Sequence, residues 1–114
     1  MKYMLLIYAE EKTGRSEKER AECKQEAVKL AEDLRARGQY VSANPLHPAA
    51  TAKSVRVRDG KRLVTDGPFA ETREQLGGYF LIEAKSEEEA VAVAQKIPMA
   101  SNGTVEVRAV VEFP

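Results

Sequence analysis

The chain has 114 residues, enough for one domain with one core and no metal or disulfide staple. Hydrophobic residues make up 43% and charged residues 32%, ordinary for a globular protein. The 18 Lys and Arg equal the 18 Asp and Glu, which argues against a bulk nucleic-acid binder with its usual basic excess and leaves little net repulsion to oppose self-association. A single cysteine, Cys23, excludes an intramolecular disulfide and a cysteine-rich zinc site. The apolar run from Tyr3 to Tyr8, followed by Glu10 and Glu11, is too short for a signal peptide and far short of the ~20 residues of a membrane span. The expected location is the cytoplasm.

In chain order, residues 3–8 form a continuous apolar run that predicts a strand buried on both faces, in the middle of a sheet. Thr13-Gly14-Arg15 reads as a turn. Ser16 then opens a helix over about 16–37, with Glu19 at the capping-box spacing and Gly38 stopping it. Cys23, Ala27, Leu30, Ala31 and Leu34 make its apolar stripe. Tyr40 to Ala43 is a short strand, followed by the loop Asn44-Pro45-Leu46-His47-Pro48, stiffened by two prolines.

The clearest hairpin joins 54–58 to 61–65 through Asp59-Gly60, a pair that favours a two-residue type I′ turn. In that register Val55 faces Val64 and Val57 faces Arg62, while Arg56, Arg58, Lys61 and Leu63 share the other face. Asp66-Gly67-Pro68-Phe69 is a turn signal, and Gly77-Gly78 leads into a buried strand at 79–82. Ser86 caps a second helix, with Glu89 three residues on; Ala90, Val93, Ala94 and Ile97 form its stripe and Pro98 ends it. After Ser101-Asn102-Gly103, residues 105–113 alternate, with Val105, Val107, Ala109, Val111 and Phe113 on one face.

This order is an α+β fold. Without the hairpin it is βαββαβ, the ferredoxin-like arrangement: an antiparallel sheet with two helices on one face. The strands at 3–8 and 79–82 are apolar on both sides, so the face without helices needs a cover. Face-to-face pairing of two sheets in a homodimer supplies it.

The segment Val64-Thr65-Asp66-Gly67-Pro68-Phe69-Ala70-Glu71-Thr72-Arg73-Glu74-Gln75-Leu76-Gly77-Gly78-Tyr79 resembles the signature of the YCII-related domain family, in its DGPF subgroup. Met1 to Tyr8, Ala52 to Arg58 and Gly103 to Arg108 fit the same pattern. The resemblance implies a dimeric α/β barrel of ferredoxin-like subunits. It also implies a cleft where a His and an Asp meet, and a loose link to transcription through gene neighbourhood. A shared fold carries no chemistry by itself.

His47 is the only histidine and sits in a Pro-bracketed loop, so it is the side chain most easily tuned to move a proton near neutral pH. Its bland alternative is an exposed loop residue. Asp66 is the candidate partner that fixes the imidazole tautomer; equally, an Asp opening a β-turn caps its own backbone. Phe69 either anchors its loop in the core or a dimer interface, or lines a cleft. If residues 70–75 make a helical turn, Glu71 and Glu74 share a face for acid–base or metal chemistry, although Arg73 between them fits a solvated turn. Arg56, with Arg58, can clamp an anion or guard a wet strand edge. No phosphate loop, metal-ligand spacing or cofactor motif is present.

Two classes of function follow. One is a small-molecule-binding enzyme in which His47 and Asp66 abstract a proton for elimination or isomerisation on a small polar substrate, with Phe69, Glu71, Glu74 and Arg56 as binding residues. The other is a non-catalytic dimeric binding or interaction module, associated with transcription regulation.

Overall fold

The computed structural model describes residues 1–11, 16–70 and 72–113. The expected turn at Thr13-Gly14-Arg15 and the candidate Glu71 lie outside them. Among the described residues the strands are β1 (Lys2–Ala9), β2 (Tyr40–Pro45), β3 (Lys53–Arg58), β4 (Lys61–Asp66), β5 (Gln75–Glu83) and β6 (Thr104–Ala109). The α-helices are α1 (Glu17–Ala36) and α2 (Glu87–Ala94), with short 3-10 turns at Ala49–Thr51 and Pro98–Ser101.

Four strands form one antiparallel sheet in the order β2-β5-β1-β6, and β3 and β4 form a separate two-stranded hairpin. That order, with both helices on one face, is the expected α+β ferredoxin-like arrangement. β1 lies between β5 and β6, as its uninterrupted apolar run requires: a central strand has no edge to expose.

Strand alternation sorts the side chains. Tyr3 and Leu5 of β1, and Phe80, Ile82 and Ala84 at β5 and just beyond it, are buried against Leu30 and Leu34 of α1 and Ala90, Val93, Ala94 and Ile97 at α2. Leu5, Leu34 and Ile82 are the largest fully buried side chains, each contributing roughly 1.5–3 kcal/mol of transfer free energy. Both helices start as the sequence requires. The Ser16 hydroxyl accepts from the Glu19 amide at 3.2 Å, and Ser86 accepts from the Glu89 amide at 3.2 Å. Gly38, at φ +73°, takes the left-handed conformation after α1 that other residues resist.

The hairpin also folds as its sequence dictates. Val55 pairs with Val64, Val57 with Arg62, Arg56 with Leu63 and Arg58 with Lys61. Asp59 and Gly60 both have positive φ, the mark of a type I′ turn. The hairpin pairs with no strand of the larger sheet, which draws the molecule out: the radius of gyration is 15.9 Å, against ~13 Å for a compact chain of this length.

Four boundaries differ from expectation by more than one residue. β2 runs on to Pro45 rather than stopping at Ala43, because Asn44 and Pro45 pair with Tyr79 and Gly78 of β5. β5 begins at Gln75, so its glycines pair with β1 and β2 instead of preceding the strand. α2 ends at Ala94, and Pro98 starts a 3-10 turn rather than closing the α-helix. β6 stops at Ala109 rather than running to Phe113, because its partner strand β1 has reached its first residues; Val111 and Phe113 are left exposed.

Candidate functional site

The sequence candidates fall in three separate places. His47 is exposed, two residues beyond the end of β2, and among the described residues no hydrogen bond or ion pair joins it to Asp66. The Asp66 carboxylate instead forms an ion pair with Lys53 directly across the hairpin. Lys53, Val55, Val57, Val64 and Asp66 alternate onto one hairpin face. Arg56 lies on the other. There its guanidinium stacks over the Phe69 ring, 4.8 Å from the centroid, a contact of cation–π type.

Ser54, Arg56, Leu63, Thr65, Pro68 and Phe69 line a shallow concavity of about 290 Å³. Its shape comes from the loop after β4. Gly67, at φ +93°, turns the chain back, its amide donates to Ala52 C=O at 2.7 Å, and the Ser54 hydroxyl donates to Gly67 C=O at 2.8 Å. Phe69 is 76% exposed and so does not anchor the loop in the core; Arg56 is what holds its ring. The structure therefore brings Arg56 and Phe69 together and keeps Asp66 apart from them.

Glu74 does not sit on a helical turn. β5 starts at the next residue, and the Glu74 carboxylate accepts from Thr104 Oγ1 at 2.8 Å, tying β5 to β6. A second concavity, of about 390 Å³, is lined by Glu10, Glu11, Thr72, Arg73 and Gln75. The Arg73–Glu10 ion pair lies in it, and the Glu11 carboxylate accepts from the Ala49 amide at 2.8 Å, fixing the loop that carries His47.

A further polar arrangement lies on the sheet face away from the helices. Met4, Leu6 and Tyr8 of β1 and Tyr79 and Leu81 of β5 alternate onto this face, with Glu106 and Arg108 of β6 beside them. Ser42 and Asn44 of β2 join them because of a bulge. The pairing shifts between Tyr40, opposite Ile82, and Ser42, opposite Leu81. Without the extra residue, Ser42 would pair with Phe80 and point to the helices. A bulge re-aims every side chain that follows it.

Across that ladder the Ser42 and Tyr79 hydroxyl oxygens lie 2.8 Å apart, and Asn44 Nδ2 donates to Tyr79 Oη at 3.1 Å. Hydrogen bonds to a phenol oxygen favour its ionised form. The hydrogen bond with Ser42, and then that from Asn44, hold Tyr79 below the ordinary tyrosine value, against a weaker opposing effect of burial. On the far side of β1, Tyr8 donates to the Glu106 carboxylate at 3.4 Å, and Glu106 pairs with Arg108. Met4, Leu6 and Leu81 form an apolar strip between the two polar groups. Met4, Leu6, Tyr8, Tyr79, Glu106 and Arg108 lie in the segments that carry the family resemblance, but no local pattern shows that Ser42 and Asn44 meet Tyr79, because they come from strands far apart in the chain.

The model of the YCII-related domain family matches residues 1–114. An uncharacterized protein of Rhizobium meliloti (strain 1021) is 38% identical over 117 residues, covering 95% of this chain and 90% of that protein. With the match running from one end of the chain to the other, and a relative this similar covered almost throughout, the chain belongs to the YCII-related domain family.

Proposed function

We propose that this chain is a small-molecule-binding domain that works as a homodimer, the uncovered faces of two sheets meeting to enclose the site. The observation that carries it is the composition of that face. Met4, Leu6 and Leu81, set on the central strands, are flanked by Tyr79 with its two hydrogen-bond partners and by the Tyr8–Glu106–Arg108 group. Ligand sites join an apolar floor to a few placed polar groups in this way.

A flat molecule also supports it. The chain measures 47 × 45 × 18 Å, thin enough for one layer of helices on one sheet and no third layer. A second copy laid on the open face by a two-fold axis gives the missing layer from the same sequence. The DGPF-type segment from Asp66 to Tyr79 fits the same subgroup in this proposal.

Proton abstraction by His47 and Asp66 is the less favoured form of the proposal. It requires Asp66 to leave Lys53 and His47 to turn toward it. Tyr79 already has converging partners.

Sedimentation velocity at micromolar concentration tests the assembly. A species of twice the chain's mass is expected, and a chain that stays monomeric up to high micromolar concentration sinks the proposal.

A further inference from the structure

We propose that Tyr79, set in place by Ser42 and Asn44, is the hydrogen-bond donor that anchors an oxygen atom of the ligand, and that the ligand is a small planar molecule carrying a carbonyl, enolate or phenolate oxygen. This deepens the proposal of a small-molecule site on the open sheet face and rests on it.

Two hydroxyl groups share a single bond between Ser42 Oγ and Tyr79 Oη. Where Ser42 donates, as the proposal takes it, the phenol oxygen accepts from both Ser42 and Asn44 and the Tyr79 O–H proton is left over. Among the described residues no other acceptor takes it. Asn44 contributes a proton to the phenol oxygen and removes none. The cluster therefore offers one spare donor and stabilises negative charge left on Tyr79 once it has given hydrogen-bond density away. A donor of this kind binds best to an oxygen that is itself anionic or becoming so.

The surroundings set the rest of the ligand. Leu6 lies directly opposite Tyr79 on β1, and Leu81 and Met4 lie opposite each other one step along. These side chains fit the flat apolar body of a ring. Beyond Leu6, Glu106 lies opposite it on β6. The span from Tyr79 to Glu106 is two inter-strand steps, about 10 Å, which leaves room for one ring and a short substituent. Glu106 is already matched by Arg108 and Tyr8, so that end adds a polar stop and no net charge.

The test uses 4-nitrophenol, whose visible band reports whether it is bound as phenol or phenolate. Wild-type protein, Tyr79→Phe and Ser42→Ala are titrated near the probe's own pKa, with circular dichroism and sedimentation run on each. Wild-type protein is expected to bind the probe and raise its phenolate fraction. Tyr79→Phe should bind roughly tenfold more weakly with no phenolate shift, as for loss of one charge-assisted hydrogen bond, and Ser42→Ala should fall between. A folded Tyr79→Phe protein that binds as wild type does, or a wild-type protein that does not bind, overturns the inference. Sedimentation separates the two proposals. A dimer whose binding ignores Tyr79 sinks only this one, and a monomer with Tyr79-dependent binding sinks only the assembly.

Discussion

Ser42 sits diagonally across the β2–β5 ladder from Tyr79, one register step away, with the two hydroxyl oxygens 2.8 Å apart. Because Asn44 reaches the same phenol oxygen from its directly paired position, the ring oxygen receives more than a surface tyrosine obtains from water alone. Tyr79 should ionise below the ordinary tyrosine value of about 10. The ultraviolet difference spectrum of wild type minus Tyr79→Phe isolates its titration. Ser42→Ala should move the midpoint up more than Asn44→Ala does, Ser42 being the larger cause. The sign for stability follows. The folded value is depressed, so the stabilising contribution is present in full above the unfolded value and is lost as pH falls through the folded one. An unchanged midpoint in both variants would mean that neither side chain acts on the phenol.

An arginine at the centre of the open face tests the assembly. Leu6 has Tyr79 on one side and Glu106 on the other. Glu106 is already matched by Arg108 and Tyr8, so a charge buried there between two sheets finds no unpaired carboxylate and pays its desolvation cost. Leu6→Arg should therefore halve the sedimenting mass, while far-ultraviolet circular dichroism of the monomer stays that of the wild type. A variant that remains dimeric places the contact elsewhere.

Gly103 precedes β6 and packs on the end of β1. A Cβ added there would run into the Tyr8 carbonyl oxygen and lie 3.2 Å from Ala9 Cα, and backbone does not yield as a side chain tip does. Gly103→Ala should cost about 1–3 kcal/mol, the usual range for overpacking, read from urea midpoints. Gly78→Ala is milder by itself, since its Cβ would meet Asn44 O at 3.1 Å and Pro45 Cα at 3.2 Å. Yet it pushes β2 from β5 beside Tyr79. Its midpoint shift should be accompanied by an upward move of the Tyr79 titration, which Gly103→Ala should leave alone.

Ser86 holds the start of α2, whose residues Ala90, Val93 and Ala94 are buried. Ser86→Ala removes the acceptor for the Glu89 amide and should destabilise by about 1 kcal/mol. Leu34→Ala, at a side chain 1% exposed, should cost about 2–5 kcal/mol. Equal effects from the two would show that α1 packs far more loosely on the sheet than its burial implies.

Local chemistry made much of the fold readable. Ser16 and Ser86 mark helix starts because a hydroxyl there satisfies an amide three residues on, a relation within one turn. Asp59-Gly60 determines the hairpin register because only such residues sit easily at positive φ twice in succession. Leu34 shows its burial through helical periodicity, and Leu5 through the continuous apolar run of β1. The Tyr79 cluster was not readable in this way. Ser42 and Asn44 meet Tyr79 across 37 and 35 residues, and a single extra residue in β2 decides which face they show. Hydrophobic alternation over so short a strand does not reveal a bulge. Asp66 is the opposite case: its place at the end of the hairpin is legible, but local sequence does not show that Lys53, thirteen residues back and directly across the hairpin, pairs with its carboxylate.

The place of β1 between β5 and β6 bears on how the protein is made. Leu5 has Phe80 on one side and Val107 on the other, so β1 leaves the ribosome well before either of its neighbours. Until then an eight-residue strand with apolar side chains on both sides is without its sheet, the kind of segment that chaperones shield and that aggregates when they do not. Nonsense truncation or C-terminal trimming that removes β6 would leave that strand as a permanent edge. Such products should be cleared by proteolysis or collect in inclusion bodies, even though every residue of the Tyr79 cluster would still be present.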